Sequence, residues 1–259
     1  MFKAPLDLSH ARILLSNDDG IYASGIKMLE KIARGLSDDV WVVAPETEQS
    51  GASHSLTLRN PLRIRRISDR RFAVTGTPTD SVLLAVSHIM RDHPPDLILS
   101  GINRGANMGE DVSYSGTIAA AMEGTLLGVP SIALSQVVTD GKPTKWATAE
   151  THAPDVIRKL VQVSWPKNVM ININFPDVVA NAVKGARLCV QGRRKLGDQL
   201  VEKHDPRGRP YYWIGPMRDE TQNRPDTDIA AVRGGAISVT PLFLDLTHQP
   251  TIDKLRAVF

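Results

Sequence analysis

The chain has 259 residues, of which 42% are hydrophobic, with a net charge of +3 and one cysteine, Cys189. This length can bury a sizeable core, and a single cysteine excludes an intramolecular disulfide and disfavours a Cys-based zinc site. No apolar run has the length of a signal peptide or a membrane span, so we expect a cytoplasmic protein with no membrane partner.

Most of the chain alternates between strand and helix patterns. Helical spacing of apolar residues predicts helices at 25–36, after Thr77-Pro78-Thr79-Asp80, at 116–127 and across 147–163. Short apolar runs predict strands at 13–15, 40–44, 97–99, 132–134 and 169–171, with a β-hairpin at 62–65 and 72–74. This order predicts an α/β fold with a doubly wound, mostly parallel sheet in a Rossmann-like three-layer α/β/α arrangement.

The last seventy or so residues have a different pattern. Residues 200–204 and 211–214 flank Asp205-Pro206-Arg207-Gly208, which has the composition of a reverse turn, and so predict a second β-hairpin. An isolated hairpin is marginal in water, and Tyr211-Tyr212-Trp213 is costly to leave exposed. We therefore expect residues 199–214 to form an oligomerisation arm, the alternative being that the hairpin folds back on its own domain. The predicted organisation is a catalytic core at 1–183 and, at 184–259, a C-terminal extension with the arm and a return to the core.

Basic residues concentrate in two places, residues 59–71 and Arg193-Arg194-Lys195. Solvated faces of surface strands are the first interpretation, and attraction of a small anionic substrate is the second. A nucleic-acid polymer would require one continuous basic face, so we do not expect such a partner.

Two polar clusters follow the first two predicted strands. Asn17-Asp18-Asp19-Gly20 places adjacent carboxylates at a strand end, where a hard divalent cation would relieve their repulsion. The alternative is a turn of solvated acids. Residues 45–55 form a long polar loop whose hydroxyls suit neutral oxygen ligation. His54 in this loop is more readily a hydrogen-bonding residue than a catalytic one.

A third cluster follows the strand at 97–99. Residues 100–109 carry Asn103 and Asn107 among closely spaced glycines, which allow the backbone to approach a ligand. Ser115-Gly116-Thr117 then opens a helix, whose free N–H groups and dipole favour an anion. Simple helix capping by Ser115 and Thr117 is the alternative. Together the three clusters predict a hard cation facing a phosphate cradle at the carboxyl ends of the strands.

Other enzyme classes lack their motifs in this chain. No GxGxxG follows the first strand, no GxxxxGK[ST] is present, and no GxSxG occurs. These absences disfavour a nicotinamide dehydrogenase, a P-loop NTPase and an α/β-hydrolase.

With these motifs in hand, the chain resembles the SurE family (survival protein E), the stationary-phase survival nucleotidases. The resemblance covers nearly the whole chain, apart from about ten residues before the first strand and the basic hairpin. Its motifs are Ile13-Leu14-Leu15-Ser16-Asn17-Asp18-Asp19-Gly20, Val42-Val43-Ala44-Pro45, Gln49-Ser50-Gly51, His54-Ser55, Gly76-Thr77-Pro78-Thr79-Asp80, Ser100-Gly101-Ile102-Asn103-Arg104-Gly105-Ala106-Asn107-Met108-Gly109, Tyr114-Ser115-Gly116-Thr117, Asn172-Ile173-Asn174-Phe175-Pro176, Thr227-Asp228 and Ser238-Val239-Thr240-Pro241-Leu242.

The resemblance implies a hydrolase of nucleoside 5′- and 3′-monophosphates that uses one divalent ion, Mg²⁺ or Mn²⁺, per subunit. Asp18, Asp19, Ser50 and Asn103 would hold the ion, and Asn107, Ser115, Gly116 and Thr117 would line the phosphate site. It also implies side activity on short polyphosphate, and a homodimer or dimer of dimers through the C-terminal arm.

For the reaction we expect a metal-activated water to attack phosphorus, with Asp18 positioning or deprotonating that water. Two alternatives remain open at this point: an aspartyl-phosphate intermediate on Asp18, and a nucleotide-sensing module that binds without turnover.

Overall fold

The computed structural model describes residues 1–195, 200–214, 218–219 and 224–259. Its strands are β1 (Arg12–Ser16), β2 (Asp39–Pro45), β3 (Ile64–Ser68), β4 (Arg71–Val74), β5 (Leu97–Arg104), β6 (Ser131–Gln136), β7 (Val169–Phe175), β8 (Ala186–Leu188), β9 (Arg194–Lys195), β10 (Leu200–His204), β11 (Pro210–Ile214), β12 (Arg218–Asp219) and β13 (Ile237–Phe243). Its α-helices are α1 (Ser24–Arg34), α2 (Pro78–Leu84), α3 (Gly116–Leu126), α4 (Trp146–Leu160), α5 (Asp228–Arg233) and α6 (Gln249–Leu255).

A nine-stranded sheet organises the fold, in the order β3-β4-β2-β1-β5-β6-β7-β13-β8. The strands from β4 to β7 in this order pair in parallel. Antiparallel pairs occur toward both edges of the sheet: β3 runs antiparallel to β4, and β13 runs antiparallel to β7. The prediction of a doubly wound, mostly parallel sheet is confirmed, and the chain does return to this sheet after residue 184 through β8 and β13.

Helices cover both faces of the sheet, because alternate residues of the inner strands point to opposite sides. Ile13 and Leu15 of β1 join one core cluster with residues of α1 and α4. Leu14 joins the other cluster with residues of α2 and α3. Apolar side chains therefore cover both faces of the sheet, and polar groups lie toward the strand ends.

Two helix starts near those strand ends follow directly from the local sequence. Thr77 caps α2 by accepting from the Asp80 backbone N–H, and the Asp80 side chain accepts from the Thr77 N–H, with Pro78 in the first turn. Ser115 caps α3 by accepting from the Ile118 N–H at 3.1 Å. Both caps fix where a helix begins beside the carboxyl ends of the parallel strands.

The predicted C-terminal hairpin is confirmed as a separate two-stranded sheet. Strands β10 and β11 pair antiparallel from Leu200 with Ile214 to His204 with Pro210, and residues of both strands are exposed. Gln199, the first residue of the predicted arm, lies outside the described residues. Across the part of the chain described, no helix has the length and apolar character to cross a membrane.

Candidate active site

A cavity of about 630 Å³ opens at the carboxyl ends of β1, β2 and β5. Loops after these strands converge there because parallel strands end at the same edge of the sheet. Its walls are formed by Asp18, Asp19, Ala23, Ser24, Gly25, Glu48, Ser50, Gly51, Asn103, Arg104, Gly105, Ala106, Asn107, Asp111, Tyr114, Ser115, Thr144 and Trp146.

All four predicted metal ligands line this one cavity. Asn103 donates its amide N–H to the Gly105 carbonyl at 3.0 Å, which leaves its amide oxygen to face a ligand. The Ser50 hydroxyl donates to the Glu48 carboxylate at 2.8 Å. Among the described residues no three acidic, histidine or cysteine side chains form a metal-binding group. The predicted set is two carboxylates with neutral oxygens, and Glu48 is a further carboxylate on the cavity wall. Hard oxygen donors of this kind fit Mg²⁺ or Mn²⁺.

The two adjacent carboxylates are electrostatically unfavourable on their own. Burial raises the pKa of Asp18, which is 5% exposed, against the lowering effect of the Thr117 hydrogen bond. Burial, and then the charge of Asp18, raises the pKa of Asp19 from 3.8 to about 6. Between these pH values the native state binds more protons than the unfolded chain, so the metal-free protein loses stability as pH rises from about 4 to about 6. A bound cation would remove this penalty. The donor set therefore fits a cation.

The start of α3 lies directly against Asp18. The Thr117 hydroxyl donates to Asp18 Oδ1 at 2.5 Å. A Cβ added to Gly116 would lie 2.6 Å from Asp18 Cβ and 3.0 Å from Oδ2, so only glycine allows this approach. Ser115 lines the cavity, whereas Thr117 is fully buried with its hydroxyl turned to Asp18. The predicted phosphate roles of these residues remain predictions.

Asn107 lines the cavity and is held in place by two buried asparagines of β7. Its carbonyl accepts from Asn172 at 2.8 Å and from Asn174 at 3.0 Å, and its backbone N–H donates to Asn174 Oδ1 at 2.8 Å. Its side-chain amide donates to Ser135. Asn172 and Asn174 belong to one of the family motifs quoted above, but the sequence alone predicted no role for them. Their alternation with apolar residues in a buried strand was the signal that they face a polar partner.

The segment before the C-terminal hairpin covers the loop that follows Asn107. Asp228 accepts from the Gly109 N–H at 3.0 Å and from the Gly192 N–H at 2.8 Å. Arg194 Nη2 lies 2.7 Å from Asp111 Oδ2, with side chains 11% and 5% exposed. Burial raises the pKa of Asp111, and the charge of Arg194 opposes that shift. Arg194 is thus buried in an ion pair, which differs from the solvated face expected for its basic cluster.

Contacts to α3 and to the start of α2 anchor the loop that carries Ser50. His54 Nε2 lies 2.8 Å from Glu123 Oε2 on α3, consistent with the hydrogen-bonding role favoured for this histidine. The Thr57 hydroxyl donates to Asp80 at 2.6 Å, at the start of α2. The loop over the cavity is therefore tied to both helices on that face.

The basic residues at 59–71 include several that are paired with acids. Arg65 binds Glu46 at 2.7 Å, and Arg71 binds Glu30 at 2.6 Å. Neither pair includes a residue of the cavity wall. Arg65 and Glu46 are 48% and 39% exposed, as expected of surface charge. Arg71 and Glu30 are only 16% and 21% exposed, so Arg71 does not lie on a solvated face.

Comparisons with known proteins agree with this geometry. The family model described as survival protein SurE matches residues 13–198. A protein of Paramagnetospirillum magneticum named 5′-nucleotidase SurE is 62% identical over 258 residues, covering 100% of this chain and 99% of the relative. One of the same name from Rhodospirillum rubrum is 58% identical, with 100% of both chains covered. The crystal structure of a SurE protein from Aquifex aeolicus superposes with a TM-score of 0.83 at 37% identity, covering 95% of this chain and 99% of that one.

Proposed function

Because the chain belongs to the survival protein SurE family, we propose that it is a divalent-metal-dependent phosphomonoesterase acting on nucleoside 5′- and 3′-monophosphates. The names of the relatives support the nucleotidase reaction. The observation that carries the proposal is the contact between Asp18 and Thr117, because it joins the paired carboxylates to the start of α3. A cation site and an anion site would then share one wall of the cavity.

The proposed metal ligands are Asp18, Asp19, Ser50 and Asn103, binding one Mg²⁺ or Mn²⁺ per subunit. A divalent ion so bound would polarise a phosphate oxygen and lower the pKa of a coordinated water. The two carboxylates balance the charge of the ion, so the site as a whole can still accept a phosphate dianion.

The chain's own residues orient the reaction. Asp18 would position or deprotonate the attacking water, and the Thr117 hydroxyl would fix the carboxylate for that task. The Gly116 N–H and the dipole at the start of α3, with Ser115 and Asn107 beside them, would bind the phosphate oxygens and stabilise charge in the transition state. The remaining cavity, toward Arg104 and Trp146, has room for a nucleoside.

The decisive experiment measures phosphate release from a panel of mononucleotides with Mg²⁺, Mn²⁺ and Co²⁺, and repeats it on short polyphosphate. More phosphate than enzyme, lost on EDTA treatment and restored by the ion, would support the proposal. Release that never exceeds the amount of enzyme would favour the nucleotide-sensing module. Full activity after exhaustive EDTA treatment would overturn the metal assignment.

A second experiment separates the two chemical routes through Asp18. Borohydride treatment during turnover reduces an aspartyl phosphate and leaves a modified Asp18, whereas direct attack by water leaves the enzyme unmodified. The structure favours direct attack, because Thr117 already holds one carboxylate oxygen and a buried Asp18 is occupied by its proposed ligand role.

We also propose that the hairpin of β10 and β11 is the arm of a homodimer or dimer of dimers. Leu200, Tyr212, Trp213 and Ile214 are each more than half exposed in the single chain. Aromatic side chains of this kind are enriched at subunit contacts, and exchange of identical segments is a low-cost route to a symmetric dimer.

A further inference from the structure

We propose that Arg194, which lies beyond the predicted catalytic core, is a positioning residue for the phosphate site, acting through its ion pair with Asp111. The inference rests on the proposed function. It assigns to the C-terminal extension a role inside the active site that is separate from oligomerisation.

Asp111 connects the cavity to the cap of α3. Asp111 contributes to the cavity wall, and its backbone carbonyl accepts from the N–H groups of Tyr114 at 2.9 Å and Ser115 at 3.1 Å. Ser115 in turn caps α3, whose first residues approach Asp18. A displacement of Asp111 therefore moves the start of the helix that we assign to the phosphate.

The C-terminal segment holds this loop at several points. Besides the ion pair at 2.7 Å, the Arg194 backbone N–H donates to the Glu110 carboxylate. Gln191 donates to the Gly109 carbonyl at 2.7 Å. Asp228 accepts from the N–H groups of both Gly109 and Gly192, and so joins the loop to the segment. These contacts, all between residues that the structure describes, come from residues 191–194 and 228.

Arg194 is the charged side chain of this set that pairs with a buried carboxylate of the loop. Asp111 is only 5% exposed, and a buried carboxylate without its partner is strongly unfavourable. The loop would relax toward water to solvate Asp111 and would carry the cap of α3 with it. The proposed metal ligands lie outside this loop, after β1, after β2 and in β5, so we expect the same change to affect the cation site less than the phosphate site.

The test compares Arg194→Gln with Arg194→Lys and with the control Arg12→Gln. Arg12 pairs with Asp39 at 2.8 Å at the amino ends of β1 and β2, opposite the cavity, so its loss costs an ion pair without touching the site. For each variant we would measure KM, kcat, competitive inhibition by inorganic phosphate, Mn²⁺ affinity by calorimetry, and thermal stability.

For Arg194→Gln we expect KM and the inhibition constant of phosphate to rise about tenfold or more, equivalent to about 1.4 kcal/mol, with a smaller loss of Mn²⁺ affinity. Arg194→Lys should recover part of this loss because it keeps the charge, and Arg12→Gln should lose stability alone. Wild-type KM and phosphate inhibition in Arg194→Gln would overturn the inference. So would an equal rise in KM in Arg12→Gln, which would indicate a general effect of destabilisation.

Two further measurements keep the test decisive. If Arg194→Gln fails to fold, Asp111→Asn breaks the same ion pair from the side of the loop; the loop is then held less firmly by Arg194, so KM should again rise. Hydrogen exchange of residues 107–115 should accelerate in the Arg194 variant and not in the Arg12 variant, whether or not the wild type turns over nucleotides. Absence of wild-type turnover would refute the proposed function, whereas unchanged hydrogen exchange in this loop would refute the positioning role of Arg194.

Discussion

Substitution of Gly116 by alanine tests the contact between α3 and Asp18 with the smallest possible change. The added methyl would lie 2.6 Å from Asp18 Cβ, whereas carbon atoms in contact are about 3.5–4.0 Å apart. Either α3 or the Asp18 side chain must therefore move by about 1 Å. A misplacement of about 1 Å in an active site costs about 100-fold in rate, or about 2.7 kcal/mol of transition-state stabilisation.

The control is Gly124→Ala in the same helix. Its added carbon would meet Ile98 Cδ1 at 2.4 Å in the core, so it overpacks the protein without touching the cavity. We expect kcat/KM for phosphate release with Mn²⁺ to fall about 100-fold in Gly116→Ala and to stay near wild type in Gly124→Ala. Metal affinity should fall with it, because Asp18 is a proposed ligand. Wild-type kcat/KM in Gly116→Ala, or equal losses in the two variants, would refute the reasoning.

Three other predictions follow from contacts around the cavity. Asp19→Asn should abolish Mn²⁺ binding. In EDTA it should raise the free energy of unfolding at pH 7 by about 1–2 kcal/mol, after allowance for solvent screening, and should reduce the loss of stability between pH 4 and 6. Asp38→Asn, on an exposed turn, is the control, and both variants are compared by thermal unfolding. Asn174→Ala removes the acceptor of the Asn107 backbone N–H and one donor to the Asn107 backbone carbonyl, so it should cost about 1–3 kcal/mol of stability and raise KM. An unchanged KM would exclude the proposed phosphate role of Asn107. Replacing residues 200–213 with a short Gly-Ser turn should give a monomer by light scattering, and a dimer of normal stability would exclude the arm.

The alternation of strands and helices was predictable because buried strands and amphipathic helices have distinct apolar patterns. The strand at 97–99 illustrates the limit of that signal. In the structure β5 continues to Arg104, through Ser100 and Asn103, because its polar carboxyl end still pairs with β6. Likewise β7 runs to Phe175 through two buried asparagines. Apolar periodicity ends where a strand enters the site, so the predicted strands were too short at their functional ends.

The grouping of the candidate site was predictable for the same topological reason, since clusters after parallel strands meet at one edge of the sheet. The long-range polar pairs were not. Arg194 with Asp111, and His54 with Glu123, join residues 83 and 69 positions apart (194 minus 111, 123 minus 54). Neither pair has a local pattern, because each partner alone resembles an ordinary surface charge. For this reason the first interpretation of the basic cluster containing Arg194 was a solvated face, with attraction of an anionic substrate as the second.

The return of β13 to the sheet has a consequence for synthesis of the protein. This strand pairs with β7, and Asp228, just before it, binds the loop that follows Asn107. A chain still emerging from the ribosome can form β1 to β7 early, yet the loop at 109–113 lacks its partners until the last strands have been made. Truncated or nicked chains would keep Asp18 and Asp19 but would lack the contacts that hold the loop at 109–113 beside the cavity. We therefore expect activity to appear only when synthesis of the chain is complete.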